Sequence, residues 1–262
     1  MTNLQGLILG LLQGLAEFLP ISSSGHLLLM QRIFGIQEGL LTFNVVVHIG
    51  TLVPVLIIYY SRVKSLIKNP FQKLMFLLAV GTLPAVFVAL FFGDFVDQLF
   101  TGNFLGIGFI ITSIFLLITD YTPPGKKGMD KINFKDALFI GVIQAIAIMP
   151  GISRSGSTIT GAVARDIDRE AAANFSFMLA IPAIMGAAVL EISHIISGAS
   201  QMGTIFSAPM FVGFAAAMVS GFFAIKIMLK LIVSSKLKYF AYYMFAVGVL
   251  ILFDQHFTNL IY

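Results

Sequence analysis

The chain has 262 residues, 58% of them hydrophobic and only 11% charged, with a mean hydropathy of +0.96, which places it outside the soluble globular range. A formal net charge of +4 calls for no nucleic-acid partner, because basic loops on the cytoplasmic side of a membrane protein account for it. The absence of cysteine excludes disulfides, zinc–thiolate sites and iron–sulfur clusters.

In chain order, residues 2–16 form a first apolar segment, and Leu27–Phe34 a second beyond a polar break containing Pro20 and Gly25. Neither is long enough to cross about 30 Å of hydrocarbon alone. A span over Thr42–Tyr60 leads to a loop with Arg62, Lys64, Lys68 and Lys73 and no acid. The span Leu74–Phe92 leads to a loop with Asp94 and Asp97 and no base, and Phe104–Thr119 leads to one with Lys126, Lys127, Lys131 and Lys135. The second half repeats the plan: a broken segment over Phe134–Ala164, then spans near Ala172–Ile192, Phe211–Leu231 and Tyr239–Phe253. The N-terminus lacks a basic region, so it does not read as a signal peptide.

Basic loops mark the cytoplasm. The Arg62–Lys73, Lys126–Lys135 and Lys230–Lys238 segments are therefore expected inside, and Asp94–Asp97 and Glu191–Ser207 outside. The segment 134–164 then enters and leaves on one face, and the first broken segment does the same from the other. The expected fold is an all-α integral membrane protein forming one polytopic domain over 1–262. It holds two inverted-topology repeats (about 1–131 and 132–262), each a re-entrant helical hairpin plus three transmembrane helices.

The hairpin tips carry the strongest signal. Residues 13–26 and 144–157 align without a gap at an offset of 131, with identities at Gln13/Gln144, Ala16/Ala147, Ile21/Ile152, Ser22/Ser153, Ser24/Ser155 and Gly25/Gly156. Six identities in fourteen columns mark a duplicated unit. The first copy carries Glu17 and His26, the second Arg154 and Thr158. Non-helical backbone at membrane depth must be buried in protein or line a wet cavity, so the tips are expected to meet around a polar cavity.

In the second tip, Gly151, Gly156 and the hydroxyls of Ser153, Ser155 and Ser157 flank Arg154, with a helix expected to begin near Thr158. Glycine lets backbone N–H groups approach an anion, a helix N-terminus adds free donors, and arginine adds a planar fork for phosphate oxygens. Gly and Ser alone would be explained by tight helix packing, but an intramembrane arginine would not. In the first tip, Glu17 is a candidate ligand for Mg²⁺ or Ca²⁺, set against the alternative of a plain ion pair with Arg154. Ser22, Ser23 and Ser24 are candidate nucleophiles or phosphate ligands beside Gly25, and His26 is a candidate acid–base group. Gln13, four residues before Glu17, shares its helical face and is a candidate metal contact. His48 either lines the cavity or is a satisfied core residue, with the second favoured; His194 and His256 read as solvated boundary residues, and Asp168 as an N-cap. An anion carrier is the rival reading, since broken helices at mid-membrane hold solutes in many transporters.

At these residues the sequence closely resembles the bacterial undecaprenyl-diphosphatase family of the bacitracin-resistance type. Gln13, Glu17, Pro20, Ser22, Ser23, Ser24, Gly25 and His26 match its first signature; Pro150, Gly151, Ser153, Arg154, Ser155, Gly156 and Thr158 match its second. Asn174–Pro182 and the chain length extend the resemblance over essentially the whole protein. The resemblance implies a hydrolase of the bacterial inner (plasma) membrane that removes the terminal phosphate of undecaprenyl diphosphate. Its product is the carrier lipid for peptidoglycan synthesis, and the activity confers bacitracin resistance. It further implies inverted repeats, a divalent cation, and a site open to the outer face. Partners are then the isoprenyl diphosphate and membrane lipids, with a homodimer compatible with the sequence. Gln13 stands where many relatives have a glutamate, which leaves Glu17 the only acid of the first tip. Attack by Ser23 and attack by water activated by His26 are both open.

Overall fold

The computed structural model describes residues 1–36, 40–100, 103–196, 207–234, 236–258 and 260, with backbone alone for 40, 41, 191 and 194–196. The readings of His194 and of most of the Glu191–Ser207 loop lie outside the described residues. Twelve α-helices are described. They are α1 (Asn3–Phe18), α2 (Ser23–Ile33), α3 (Leu40–Ile58), α4 (Tyr60–Lys68), α5 (Lys73–Phe91) and α6 (Gly93–Leu99), then α7 (Leu105–Tyr121), α8 (Phe134–Ile146), α9 (Arg154–Val163), α10 (Arg169–Ile196), α11 (Ala208–Val233) and α12 (Leu237–Phe253). No β-strand is described; Lys127 and Ile167 form an isolated bridge.

Four helices (α5, α10, α11 and α12 with its extension to Thr258) are long and apolar enough to cross a bilayer. The pair α3–α4 makes a fifth if its 87° bend is one broken span, and α7 is a shorter apolar helix. Their outward faces are apolar: Leu83, Phe87, Leu90 and Phe91 of α5, at helical spacing, are all exposed. This is a multi-pass helical membrane protein.

The broken segments are helix pairs, as their polar interruptions require. At 1.5 Å per residue, α1 reaches about 24 Å and α9 about 15 Å, both short of the hydrocarbon thickness. The arms of the two pairs start at the repeat offset: Asn3 and Phe134 (134 − 3 = 131), Ser23 and Arg154 (154 − 23 = 131).

Three local expectations change. The basic segment after the first span is not a loop but the helix α4, which turns its Leu66 inward and leaves Arg62, Lys64 and Lys68 at the surface. The acidic segment is likewise a helix, α6, with Val96 buried. The helix of the second tip begins at Arg154, not Thr158, because the Ser153 side chain caps it by accepting from the Gly156 N–H at 3.1 Å. Asp168 accepts from the N–H groups of Glu170 and Ala171, as an N-cap does.

Small residues bring the hairpins against the spans. Gly6, Gly10 and Gly14 form a stripe on α1 that meets Pro209, Gly213 and Ala217 of α11 backbone to backbone. Gly141 of α8 meets Gly81 of α5 in the same way. Without a hydrophobic force between helices in lipid, such approach is how packing energy is gained. Helix α7 braces both tips: Gly108 lies against Pro150 and Gly151, Phe109 and Leu105 lie over Gly25, and Thr112 Oγ1 accepts from Ser153 N–H while donating to Gly151 O. Gly151, with φ +86° and the Leu105 carbonyl against it, has no room for a side chain.

The base of the second hairpin is held by charge. Asp136, fully buried at the start of α8, receives Arg165 Nε at 2.9 Å from just beyond α9 and Lys127 Nζ at 3.3 Å. It also closes a capping box with Asn133. Both feet of the hairpin therefore converge on one carboxylate.

Two substitutions test this framework. Gly10→Val would drive methyl groups into the Gly213 backbone, an overpacking cost of about 1–3 kcal/mol, read as a lowered thermal midpoint in detergent by circular dichroism. Asp136→Ala would leave Arg165 and Lys127 without their buried partner, lower the midpoint, and increase proteolysis between residues 122 and 134. An unchanged midpoint for either would remove that contact from the account.

Candidate active site

The two tips meet. Arg154 Nη2 donates to Glu17 Oε1 at 2.6 Å across 137 residues of sequence, and Ser155 Oγ donates to the Leu19 carbonyl at 3.4 Å. Glu17 is 7% exposed and Arg154 15%. The tips meet as expected, through a direct ion pair in which each supplies the counter-charge for the other.

The other carboxylate oxygen gathers the first tip. Glu17 Oε2 accepts from Ser23 Oγ at 2.7 Å and from Gln13 Nε2 at 3.1 Å. Ser23 and Arg154 open α2 and α9 respectively, so Glu17 sits where two helix N-termini converge. The capping is repeated in both tips. Ser22 Oγ accepts from Gly25 N–H and lies 3.4 Å from Ser24 Oγ; Ser153 Oγ accepts from Gly156 N–H and lies 3.2 Å from Ser155 Oγ. Ser22 adopts φ +65°, a left-handed conformation that costs a serine energy. It turns the Ser22 carbonyl toward the His26 side chain.

Arg154 is held on its far side as well. Its Nη1 donates to the Ser176 carbonyl of α10 at 3.1 Å, and Thr158 and Ser176 share a hydroxyl contact at 2.6 Å. The fork is thereby aimed into the junction before any ligand arrives. Gln144, the repeat counterpart of Gln13, instead donates to the Gly81 carbonyl. Ser157 is fully buried, and its hydroxyl has no hydrogen-bond partner among the described residues.

His26 does not face Ser23 or Glu17. Its Nδ1 lies 2.9 Å from the Ser22 carbonyl, and since a carbonyl only accepts, Nδ1 carries the proton. Nε2 then accepts from Tyr243 OH of α12 at 2.7 Å, with the two rings stacked at 5.6 Å and Phe109 on the other side.

His48 is the clearest departure from the sequence reading. It is not a satisfied core residue: its side chain is 29% exposed and its Nε2 lies 3.8 Å from Glu17 Oε2. An intramembrane histidine is functional by default, and that signal was present in the sequence. Ser176 falls inside the Asn174–Pro182 stretch, but Thr112 and Tyr243 carry no pattern that singles them out.

A carboxylate, an arginine fork and capped helix N-termini are brought together inside a helical membrane protein. The chain belongs to the bacitracin resistance protein BacA family, whose profile matches residues 6–250. It is similar to the undecaprenyl-diphosphatase of Carboxydothermus hydrogenoformans, 49% identical over 256 residues that cover 97% of this chain and 98% of that protein. Undecaprenyl-diphosphatase 3 of Bacillus cereus is 46% identical over 256 residues, 97% and 98% of the two chains. Undecaprenyl-diphosphatase 4 of Bacillus thuringiensis is 45% identical over 257 residues, 98% of each.

The Glu17–Arg154 contact yields a prediction of its own. Removing either partner leaves a buried charge unpaired, at a cost of about 3–5 kcal/mol, so Glu17→Ala and Arg154→Ala each lower the thermal midpoint. The double variant should fall by clearly less than the sum of the two. Additive losses would show that the two side chains are not coupled.

Proposed function

We propose that this protein hydrolyses undecaprenyl diphosphate to undecaprenyl phosphate and inorganic phosphate, recycling the lipid carrier of peptidoglycan synthesis and conferring bacitracin resistance. The observation that carries the proposal is the Ser23–Glu17–Arg154 constellation at the meeting of two helix N-termini. An anion carrier needs the arginine and the helix end. It has no use for a serine hydroxyl donated to a buried carboxylate.

The terminal phosphate binds against Arg154 and the first-turn backbone of α9, from Ser153 to Gly156, with Gly151 and Thr158 shaping the turn. Ser22, Ser24 and Gly25 supply the matching first turn of α2. Phosphate oxygens replace the Glu17 carboxylate on part of the arginine fork, which frees Glu17 for Ser23. Ser23 Oγ then attacks the terminal phosphorus in line with the bridging oxygen. A new Oγ–P bond forms as the bridging P–O bond breaks, and the bond electrons leave with undecaprenyl phosphate. The Ser23 proton passes to the Glu17 carboxylate, which already accepts it as a hydrogen bond. Water then attacks phosphorus and breaks the Oγ–P bond, Glu17 returns its proton to Ser23 Oγ, and inorganic phosphate leaves. Little of this requires a strong base, since phosphoryl transfer rests mainly on positioning and charge stabilisation. His26, held by Tyr243 away from Ser23, acts as an acid–base group on the water or leaving-group side.

The residues around Glu17 fit a divalent cation such as Mg²⁺ or Ca²⁺, because the carboxylate is an oxygen ligand and the Gln13 Oε1 atom is buried without a hydrogen-bond partner among the described residues. Glu17 and Gln13 would hold the ion, which would supply charge neutralisation for the phosphate oxygens. Two inverted repeats, about 1–131 and 132–262, account for tips that enter from opposite faces. The protein belongs in the bacterial inner (plasma) membrane with its site opening outward. Lipid covers its apolar faces, and a homodimer would form without lending residues to the site.

Phosphate release from undecaprenyl diphosphate by detergent-purified protein tests this reading. Arg154→Ala and Ser23→Ala are each expected to lose about 10²–10³-fold, and EDTA to abolish release. Wild-type protein that releases no phosphate with Mg²⁺, Ca²⁺ or Mn²⁺ would overturn it in favour of the carrier.

A further inference from the structure

We propose that His48 is a third ligand of the divalent cation, beside Glu17 and Gln13, and that its imidazole gives the site a preference for Mn²⁺ over Mg²⁺ and Ca²⁺. This rests on the metal-dependent reading above and goes beyond it in naming the ligand that sets selectivity.

The first observation is the tautomer. His48 Nδ1 lies 2.7 Å from the Asn44 carbonyl on its own helix, and a carbonyl can only accept. Nδ1 therefore holds the proton, and in the neutral ring Nε2 presents a bare lone pair. A ligating histidine fixed through its other nitrogen by a backbone carbonyl is a recurrent arrangement in metal sites.

The second observation is where that lone pair points. Nε2 lies 3.8 Å from Glu17 Oε2, and Nε2 has no hydrogen-bond partner among the described residues. The separation is too long for a hydrogen bond. A neutral Nε2 and a carboxylate oxygen are both acceptors, and their proximity is not itself attractive. It suits two ligands of one ion, because donors each about 2.1 Å from a metal stand roughly 3–4.2 Å apart for angles from 90° to 180°. On the same carboxylate oxygen, Gln13 donates through Nε2 and keeps Oε1 buried and unsatisfied. Gln13 and His48 thus each approach the same Glu17 oxygen and each carry an acceptor without a hydrogen-bond partner among the described residues. Arg154 sits on the opposite oxygen of Glu17, so the carboxylate bridges guanidinium and cation.

The third observation is the charge count. No cluster of three or more His, Cys, Asp or Glu is present among the described residues, so the site has one carboxylate where hard ions are usually held by several oxygen charges. Gln13 contributes an amide where a second carboxylate would strengthen Mg²⁺ or Ca²⁺ binding. A neutral imidazole restores affinity selectively, for first-row transition ions and not for Mg²⁺ or Ca²⁺.

The test is Mn²⁺ binding to the full-length protein in detergent, without substrate, by electron paramagnetic resonance. Bound Mn²⁺ is expected to show coupling to a directly ligated nitrogen that changes isotopically when histidine is labelled with ¹⁵N. His48→Gln should abolish the coupling and weaken Mn²⁺ binding about tenfold while Mg²⁺ competition stays within about twofold. His256→Gln, an exposed control, should change neither. Bound Mn²⁺ without nitrogen coupling in the wild type, or coupling that survives His48→Gln, would overturn the proposal. So would a wild type that binds no Mn²⁺, since His48 would then have no ion to ligate. The labelled wild type decides even if His48→Gln does not fold. No turnover is involved, so nitrogen-ligated Mn²⁺ in a protein that releases no phosphate would refute the phosphatase reading and leave the ligand assignment standing.

Discussion

Glu17 brings one negative charge to a place where two helix N-termini and an arginine all require one. The first turns of α2 and α9 leave backbone donors without intrahelical partners, and their partial positive charges converge at the junction of the tips. Without an anion there, Arg154 and both helix ends would repel each other in a low-dielectric interior. With Glu17 in place, each tip neutralises the other. The bracing by α7, the small-residue stripe on α1 and the carboxylate clasp at the foot of the second hairpin hold that meeting point in register.

Much of this was legible in the chain because the duplication left both tips nearly intact. Intramembrane Glu17 and Arg154 are too costly to be bystanders, and the duplication puts one in each copy of the tip. Helix type and approximate span positions followed from apolar runs, and the arm starts recur at the offset read from the motif. The helical character of the Arg62–Lys68 and Gly93–Leu99 segments was not legible. Each is a short polar stretch stabilised by one inward residue, Leu66 or Val96, and so has little periodic signal. The earlier start of α9 depended on Ser153 acting as a cap, and a serine in a serine-rich tip does not announce which one caps.

Side-chain direction was the other limit. Ser23 and His26 are three residues apart on one helix, which suggests a shared face, yet Ser23 turns to Glu17 and His26 to Tyr243. The unusual φ of Ser22 aims its carbonyl at His26 and fixes the ring's proton on Nδ1, and the partner for Nε2 comes from 217 residues away. Long-range partners of this kind have no local signature. His48 shows the same limit from the other side: an apolar helix made it look like core, while the fold delivered its ring to the carboxylate.

The two tips are related by duplication but no longer equivalent, and the differences divide the labour. Position for position, Ser23 corresponds to Arg154 and Gln13 to Gln144. Ser23 and Arg154 both contact Glu17, one with a hydroxyl and one with a guanidinium. The repeat therefore places a nucleophile candidate and an anion clamp at matching helix starts on opposite sides of one carboxylate. Gln13 stays with Glu17, whereas Gln144 turns to the Gly81 backbone, because the second tip has no acid at the position matching Glu17: Ile148 stands there. Two acids would repel each other at this junction and leave Arg154 outnumbered; two arginines would do the reverse. One of each, with the other polar groups described around them a hydroxyl, an amide or an imidazole, is an arrangement in which two helix N-termini can meet inside a helical membrane protein.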